Sequence, residues 1–401
     1  MKEIHADKGR SERGISPFQF SKRFIPGLLF VVAAFLGAGV VHSAELINPS
    51  ETLWYREPVP VKIENSNMWQ TSADWSRALP VGNGRLGAMV DGGIPTERLQ
   101  LNEDTLWSGG VSDPDNPAAL EHQDEIRQLL LEGKYAEANN LTQKYLVCKN
   151  DGSGNGNGAR AKYGCYQTLG DLTIYFPGHE VFSDYRRELN LANGVARTTY
   201  RVGETSFSRE VFSSYPDDVL VIYLSADRPG AVTCDVNLSR YENAVVRAAD
   251  GAKAQIVMEG QLPSGNDPDG MKFMARVGVK AVHGAVSMDG STLRISHADS
   301  AVLILTAATD YIKPNTEVLK KGNRWKRVGQ PLKDGQPLYV GNPYEKICKE
   351  TLQKALRQSY GKLKSRHIED FSSLFSRCTL NLGETAQAWA PTDERLENFR
   401  K

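Results

Sequence analysis

The sequence predicts a mainly β protein: an N-terminal β-sandwich with a small helical insertion, followed by a helical linker. Short runs of β-branched and aromatic residues, separated by Gly, Asn, Pro and Asp turns, are typical of sandwiches. Helical spacing of apolar residues is confined to two segments, residues 117–145 and 343–378. The strands predicted in this way are residues 86–90, 98–102, 171–176, 195–202, 205–212, 219–224 and 301–306.

Three of these elements have features that predict their places in the fold. Residues 219–224 are apolar on both faces, which suits a central strand between two packed sheets. Residues 117–145 have helical periodicity broken at Gly133, so we expect a helical hairpin that covers the sandwich. Residues 343–378 have apolar side chains mostly three and four positions apart, which predicts the helical linker.

The stretch between sandwich and linker, residues 313–342, reads as a loop-like insertion. It contains the basic run 320–327 with Trp325 inside it, followed by several Gly and Pro residues. An anionic polymer could contact such a run, but a solvated insertion needs no ligand, and the sequence favours the solvated insertion.

Charge and leader sequence indicate an exported protein. The 401 residues include 48 basic and 48 acidic side chains, so no overall field attracts nucleic acid or an anionic membrane, and neither is expected as a partner. Lys22 and Arg23 precede the apolar run 24–41, and a small residue stands before Ala44. We expect residues 1–43 to be a signal peptide for export to the periplasm or outside the cell. An uncleaved membrane anchor is the alternative.

Five cysteines would meet an oxidising compartment after export. Cys148 and Cys165 flank the glycine-rich stretch 150–158, and from that position alone we hypothesise a disulfide between them. Cysteine and histidine spacing matches no zinc pattern, so no metal site is expected.

The segment 78–110 carries a glycine pattern that resembles a nucleotide-binding motif. Gly82, Gly84 and Gly87 spell G-x-G-x-x-G, which binds a pyrophosphate only between a strand and a helix. Here the glycines lead into the short predicted strand 86–90, which ends in an Asp-Gly-Gly turn. The glycines are therefore expected to build turns of an antiparallel structure.

Four residues after strand 98–102 are candidates for a sugar-binding cleft: Asn102, Glu103, Asp104 and Trp107. An indole stacks on a pyranose face while carboxylates accept hydrogen bonds from sugar hydroxyls. The alternative is that Asp104 and Thr105 cap a turn and that Trp107 belongs to the core. Adjacent carboxylates at a strand end point to opposite faces, so Glu103 and Asp104 are a poor catalytic pair.

The runs ALPVGNGRLGAMVDGG and RLQLNEDTLWSGG resemble the N-terminal domain of glycoside hydrolase family 95, the inverting α-L-fucosidases and their relatives. Further matching segments follow in the family's order, so the resemblance covers roughly residues 53–310 and 367–395. It implies a β-sandwich before a helical linker and an (α/α)6 barrel that carries the acid and the base. Residues 391–395 resemble the region just before that barrel, so no catalytic residue is assigned to this chain.

The resemblance implies the front, non-catalytic half of an exported hydrolase that removes terminal α-L-fucosyl, or related galactosyl, residues without metal or organic cofactor. The expected partner is a fucosylated glycan or another plant or host oligosaccharide, with no membrane contact after signal cleavage. Alternatives are a stand-alone carbohydrate-binding sandwich and a subunit completed by a separately encoded barrel. The expected segments are signal peptide 1–43, sandwich 44–312, insertion 313–342, linker 343–378 and barrel lead-in 379–401.

Overall fold

A computed structural model describes residues 51–59, 75–109, 115–147, 164–251, 254–264, 270–311, 313–314, 339–380, 383 and 386–400. The predicted signal peptide, the basic run 320–327 and Cys148 lie outside these residues. Cys165, Cys234, Cys348 and Cys378 carry free thiols, which gives no support to the hypothesised bridge to Cys148. Among the described helices, none is long and apolar enough to cross a bilayer.

Two large antiparallel sheets form the main architecture of the described chain. Their strands are β1 Thr52–Tyr55, β2 Leu79–Gly82, β3 Leu86–Val90, β4 Thr96–Glu103, β5 Gly170–Tyr175, β6 Ser183–Asn190, β7 Val195–Val202, β8 Thr205–Ser214, β9 Val219–Ala226, β10 Val232–Ser239, β11 Ala244–Ala248, β12 Gln255–Gln261, β13 Lys272–Val282, β14 Ala285–Asp289, β15 Thr292–Ala298 and β16 Ser300–Thr309. A two-residue ladder pairs β17 Lys313–Pro314 with β18 Tyr339–Val340.

The strand order separates the two layers. One sheet has nine strands in the order β1-β6-β7-β8-β9-β16-β13-β12-β11, and the other has seven in the order β14-β15-β10-β5-β4-β3-β2. Their inner faces meet in one large apolar core. In β4, Leu99 and Leu101 point into this core while Gln100 and Asn102 lie on the outer face. The mainly β sandwich predicted from the sequence is confirmed.

The strand β9 is apolar on both faces because each face packs against a different layer, and only one of these layers is a sheet. Leu220 and Ile222 point into the core between the sheets. Val219 and Val221 point the other way and pack with Leu363 and other apolar side chains of the C-terminal helices. Helices, and not a second sheet, therefore cover the outer face of this strand.

The described helices are α1 Ala118–Leu131, α2 Tyr135–Tyr145, α3 Tyr344–Leu356, α4 Tyr360–Phe375 and α5 Thr392–Arg400. Gly133 joins α1 to α2 with φ of 75°, a left-handed conformation that favours glycine. The hairpin buries Ile126 and Ala138 but leaves Leu131 and Tyr135 exposed. The two helices contact each other extensively, and neither has a comparably extensive contact with a strand. The hairpin thus packs chiefly on itself, and the expectation that it covers the sandwich is corrected.

A carboxylate on the nine-stranded sheet fixes α4 in place. Glu210 of β8 accepts hydrogen bonds from Arg197 (Nε, 2.9 Å), from the Tyr360 hydroxyl and from Lys364 (Nζ, 2.8 Å). Burial raises the pKa of Glu210, but the hydrogen bonds from Lys364 and Tyr360 and the charge of Arg197 outweigh it and lower this pKa to about 2. The helical linker is therefore held to the sandwich by charge as well as by apolar packing.

A buried ion pair joins the two sheets. Arg209 of the nine-stranded sheet reaches Glu97 of the seven-stranded sheet, with Nη1 to Oε2 at 3.3 Å. Its guanidinium also donates to the carbonyl oxygens of Gly93 (2.5 Å) and Ile94 (2.8 Å) and to the Tyr200 hydroxyl (2.7 Å). Both charged side chains are almost fully buried, so each depends on the other for compensation.

Candidate functional site

Of the four residues selected from the sequence, Asn102 and Glu103 lie on opposite faces of β4, and Asp104 and Trp107 follow the end of that strand. Glu103 is 2% exposed and points inward. Its Oε1 accepts from Arg85 (Nη1, 3.1 Å), and its Oε2 accepts from Thr105 through the backbone N (2.9 Å) and Oγ1 (2.7 Å). Burial raises the pKa of this carboxyl. Glu103 therefore does not line a sugar cleft but holds the turn that follows β4, which corrects the sequence-based expectation.

Asn102 and Trp107 lie together because both contact Tyr166. The Tyr166 hydroxyl donates to Asn102 Oδ1, and the Trp107 ring meets the Tyr166 ring edge-on at 6.2 Å between centroids. Trp107 Nε1 donates to the carbonyl oxygen of Asp104 at 3.2 Å, and the Asp104 side chain is exposed in the turn. Trp107 is 49% exposed, so it is available to a ligand and does not belong to the core.

A groove of about 350 Å³ runs along the outer face of β2, β3 and β4. Trp75 and Tyr166 supply its aromatic walls, and Met89, Gln100 and Asn102 also line it. Trp75 Nε1 donates to Gln100 Oε1 at 2.5 Å. The groove therefore combines two partly exposed aromatic rings with two carboxamides that those rings hold in place.

The glycine pattern of residues 82–87 forms the floor of this groove. Gly82 and Gly87 face each other across the β2–β3 ladder. Because neither has a side chain, the outer face of the sheet is open at this point. Gly84 has φ of 90° in the turn between the strands, a backbone conformation that favours glycine. The turn role is confirmed for Gly84, while Gly82 and Gly87 belong to strands.

The groove contains one charged lining residue among those described, and that charge is compensated. Arg85 donates from Nε to Asp218 Oδ1 (2.8 Å) and from Nη1 to Glu103 and to the carbonyl oxygen of Ala307 (2.8 Å). Two carboxylates thus surround the guanidinium. The groove is close to neutral and fits an uncharged ligand better than an anion.

Sequence reasoning found Asn102 and Trp107 but missed Trp75, Gln100 and Tyr166. The alternation of strand 98–102 placed Gln100 on the same face as Asn102, so a signal for Gln100 existed. Trp75 lies in the short 3-10 turn Trp75–Arg77 upstream of β2, and its proximity to β4 follows from the tertiary fold. In the described part of the chain, no three His, Cys, Asp or Glu side chains are placed to hold a metal ion.

A family model described as "Glycosyl hydrolase family 65, N-terminal domain" matches residues 53–314, more than half of the chain. The chain belongs to this family. The matched region of the family 65 N-terminal domain includes both sheets and every residue of the groove.

The curated relatives carry fucosidase names. "Alpha-L-fucosidase 2" of Arabidopsis thaliana is 32% identical over 360 residues, which cover 82% of this chain and 38% of that protein. "Probable alpha-fucosidase A" of Aspergillus niger is 30% identical over 338 residues, covering 80% of this chain and 38% of that one. The chain therefore spans about two fifths of the length of these relatives. The resemblance to the N-terminal portion of a fucosidase-like enzyme is confirmed.

A solved structure titled "Putative kojibiose phosphorylase from human microbiome" matches 52% of this chain and 29% of its own length at 13% identity. Its TM-score is 0.30, too low to inform on fold or function.

Proposed function

We propose that this chain is the non-catalytic N-terminal half of an exported family 95 glycoside hydrolase that removes terminal α-L-fucosyl residues with inversion. The observation that carries this proposal is the similarity of 82% of the chain to Alpha-L-fucosidase 2. The family 65 N-terminal domain match over residues 53–314 agrees with a hydrolase.

The geometry of the candidate carboxyls supports a non-catalytic role. An inverting glycosidase places an acid and a base about 6.5–9.5 Å apart on either side of the scissile bond, with room for water. Both carboxylate oxygens of Glu103 are occupied by Arg85 and Thr105 inside the sandwich. Asp104 follows it in an exposed turn. Neither residue is therefore assigned as the acid or the base, and the resemblance to family 95 implies that both belong to a barrel.

The purified chain from residue 44 onward is expected to release no fucose from 2′-fucosyllactose. Free fucose can be measured beside the full-length Arabidopsis relative as a positive control. The double variant with Glu103→Gln and Asp104→Asn provides the background. Release by the parent chain that this double variant abolishes would overturn the non-catalytic assignment.

Export is part of the same proposal. The charged and apolar leader supports export, and the protein recovered from the extracytoplasmic fraction is expected to begin at Ala44. N-terminal sequencing of that fraction checks this, and a chain that retains residues 1–43 would contradict it. In the alternative proposal, the chain is a subunit completed by a catalytic barrel that a separate reading frame encodes. The exposed apolar side chains Leu374, Trp389 and Phe399 support such a contact.

A further inference from the structure

The groove on the seven-stranded sheet is built differently from the rest of that outer face. Elsewhere the face carries ion pairs such as Arg98 with Asp171 and Arg294 with Asp235. Between β2 and β4 it carries instead a bare glycine floor, two carboxamides and two aromatic walls. Trp75 is 38% exposed and Tyr166 is 42% exposed, so each ring offers apolar surface to a ligand.

The carboxamides are oriented before any ligand arrives. Gln100 Oε1 accepts from the Trp75 indole, and Asn102 Oδ1 accepts from the Tyr166 hydroxyl. A carboxamide held through its oxygen presents its NH2 group as a donor on the opposite side. Residues i and i+2 of a strand lie on the same face about 6.5–7 Å apart. The groove therefore has two donor groups at fixed spacing, flanked by the two rings.

We propose that this groove binds a neutral oligosaccharide. Pyranose faces stack on Trp75 and Tyr166, because the C–H face of a sugar ring is apolar and matches an aromatic surface. Ring hydroxyls accept from the carboxamide NH2 groups of Gln100 and Asn102. The compensated charge of Arg85 favours a neutral sugar over an anionic one. Binding here requires no hydrolysis, so the site goes beyond the hydrolase proposal and does not depend on it.

The floor offers a variant that blocks the groove without straining the backbone. A Cβ placed on Gly82 would meet only Gly87 Cα and Leu86 O, each at 3.9 Å, which is ordinary contact. A Cβ on Gly87 would lie 2.9 Å from Val81 O, so that position cannot be used. Gly82→Leu therefore fills the groove while the sheet remains intact. Trp75→Ala is the complementary change, because it removes one wall.

The experiment is a titration of the chain with 2′-fucosyllactose, followed by chemical-shift changes. We expect saturable binding that both Gly82→Leu and Trp75→Ala weaken at least 10-fold. Tyr135→Ala, which removes an exposed ring from α2, is the matched control and should bind like the parent. Gln100→Ala removes one carboxamide donor together with the acceptor of the Trp75 indole, so it should also weaken binding. Circular dichroism verifies the fold of each variant.

Three results would overturn the proposal. The first is the absence of saturable binding by the parent chain. The second is binding that persists unchanged in the folded Gly82→Leu and Trp75→Ala variants. The third is tighter binding of an anionic heparin oligosaccharide than of 2′-fucosyllactose at the same groove. Fucose release during the titration would count against the non-catalytic assignment alone, so the failure of either proposal can be distinguished from that of the other.

Discussion

Replacing Arg209 with methionine is expected to lower the free energy of unfolding by about 3–5 kcal/mol, the usual cost of removing one partner of a buried ion pair. Glu97 would remain in the interior without its cation. The carbonyl oxygens of Gly93 and Ile94 would lose their donor, and the ring of Phe176 would lose the guanidinium that lies 3.9 Å from its centroid. Urea denaturation at neutral pH measures the effect.

The double variant with Glu97→Gln and Arg209→Met separates the charge effect from the packing effect. Methionine keeps much of the volume, so the remaining cost in the single variant comes mainly from the uncompensated carboxylate. The double variant is expected to recover part of the lost stability. A single variant that loses less than about 1 kcal/mol, or a double variant no more stable than the single one, would contradict this interpretation of the pair.

Replacing Glu210 with alanine is expected to lower the free energy of unfolding by about 2 kcal/mol and to loosen α4 from the sheet. The side chains of Lys364 and Arg197 are 21% and 30% exposed and can turn toward water, so the cost is below that of a fully buried pair. Hydrogen exchange of the α4 amides should accelerate. Glu369→Ala is the matched control, because it removes an exposed carboxylate from α4 that does not hold this helix to the sheet.

The same carboxylate gives a pH dependence with a definite sign. The pKa of Glu210 is lowered in the folded chain to about 2 from the ordinary value of 4.5. Its contribution is therefore fully present above about pH 4.5 and is lost as the pH falls toward about 2. Glu210→Gln should flatten the stability profile in that window. A variant whose acid profile matches that of the parent chain would contradict the assignment.

Local sequence patterns predict a strand well when only one of its faces packs against a core. The boundaries of β7 agree with the sequence, because its pattern and turn residues are unambiguous. The six strands from β10 to β15 were not predicted, although Val232–Ser239 alternates strictly between apolar and polar residues. The covering of Val219 and Val221 by helices more than 120 residues later is a tertiary contact that no local pattern contains.

The candidate site could be predicted only in part for a related reason. Aromatic and amide residues after strand 98–102 were identifiable by type, but only the pleat decides that Asn102 faces the groove and Glu103 the interior. Trp75 and Tyr166 come from loops on either side of the strand in sequence, and sheet pairing brings them together. The glycine pattern predicts turns, whereas Gly82 and Gly87 lie in strands and shape the groove.

One proton NMR experiment on the chain from residue 44 onward with 2′-fucosyllactose tests whether this sandwich binds a neutral glycan without cleaving it. Saturation transfer reports contact between protein and sugar, while the anomeric signals of free fucose report hydrolysis in the same sample. We expect saturation transfer that disappears in Gly82→Leu, and no growth of the free fucose signal over time. No transfer to the parent chain, or fucose that accumulates above the background of the Glu103→Gln and Asp104→Asn variant, would contradict the account.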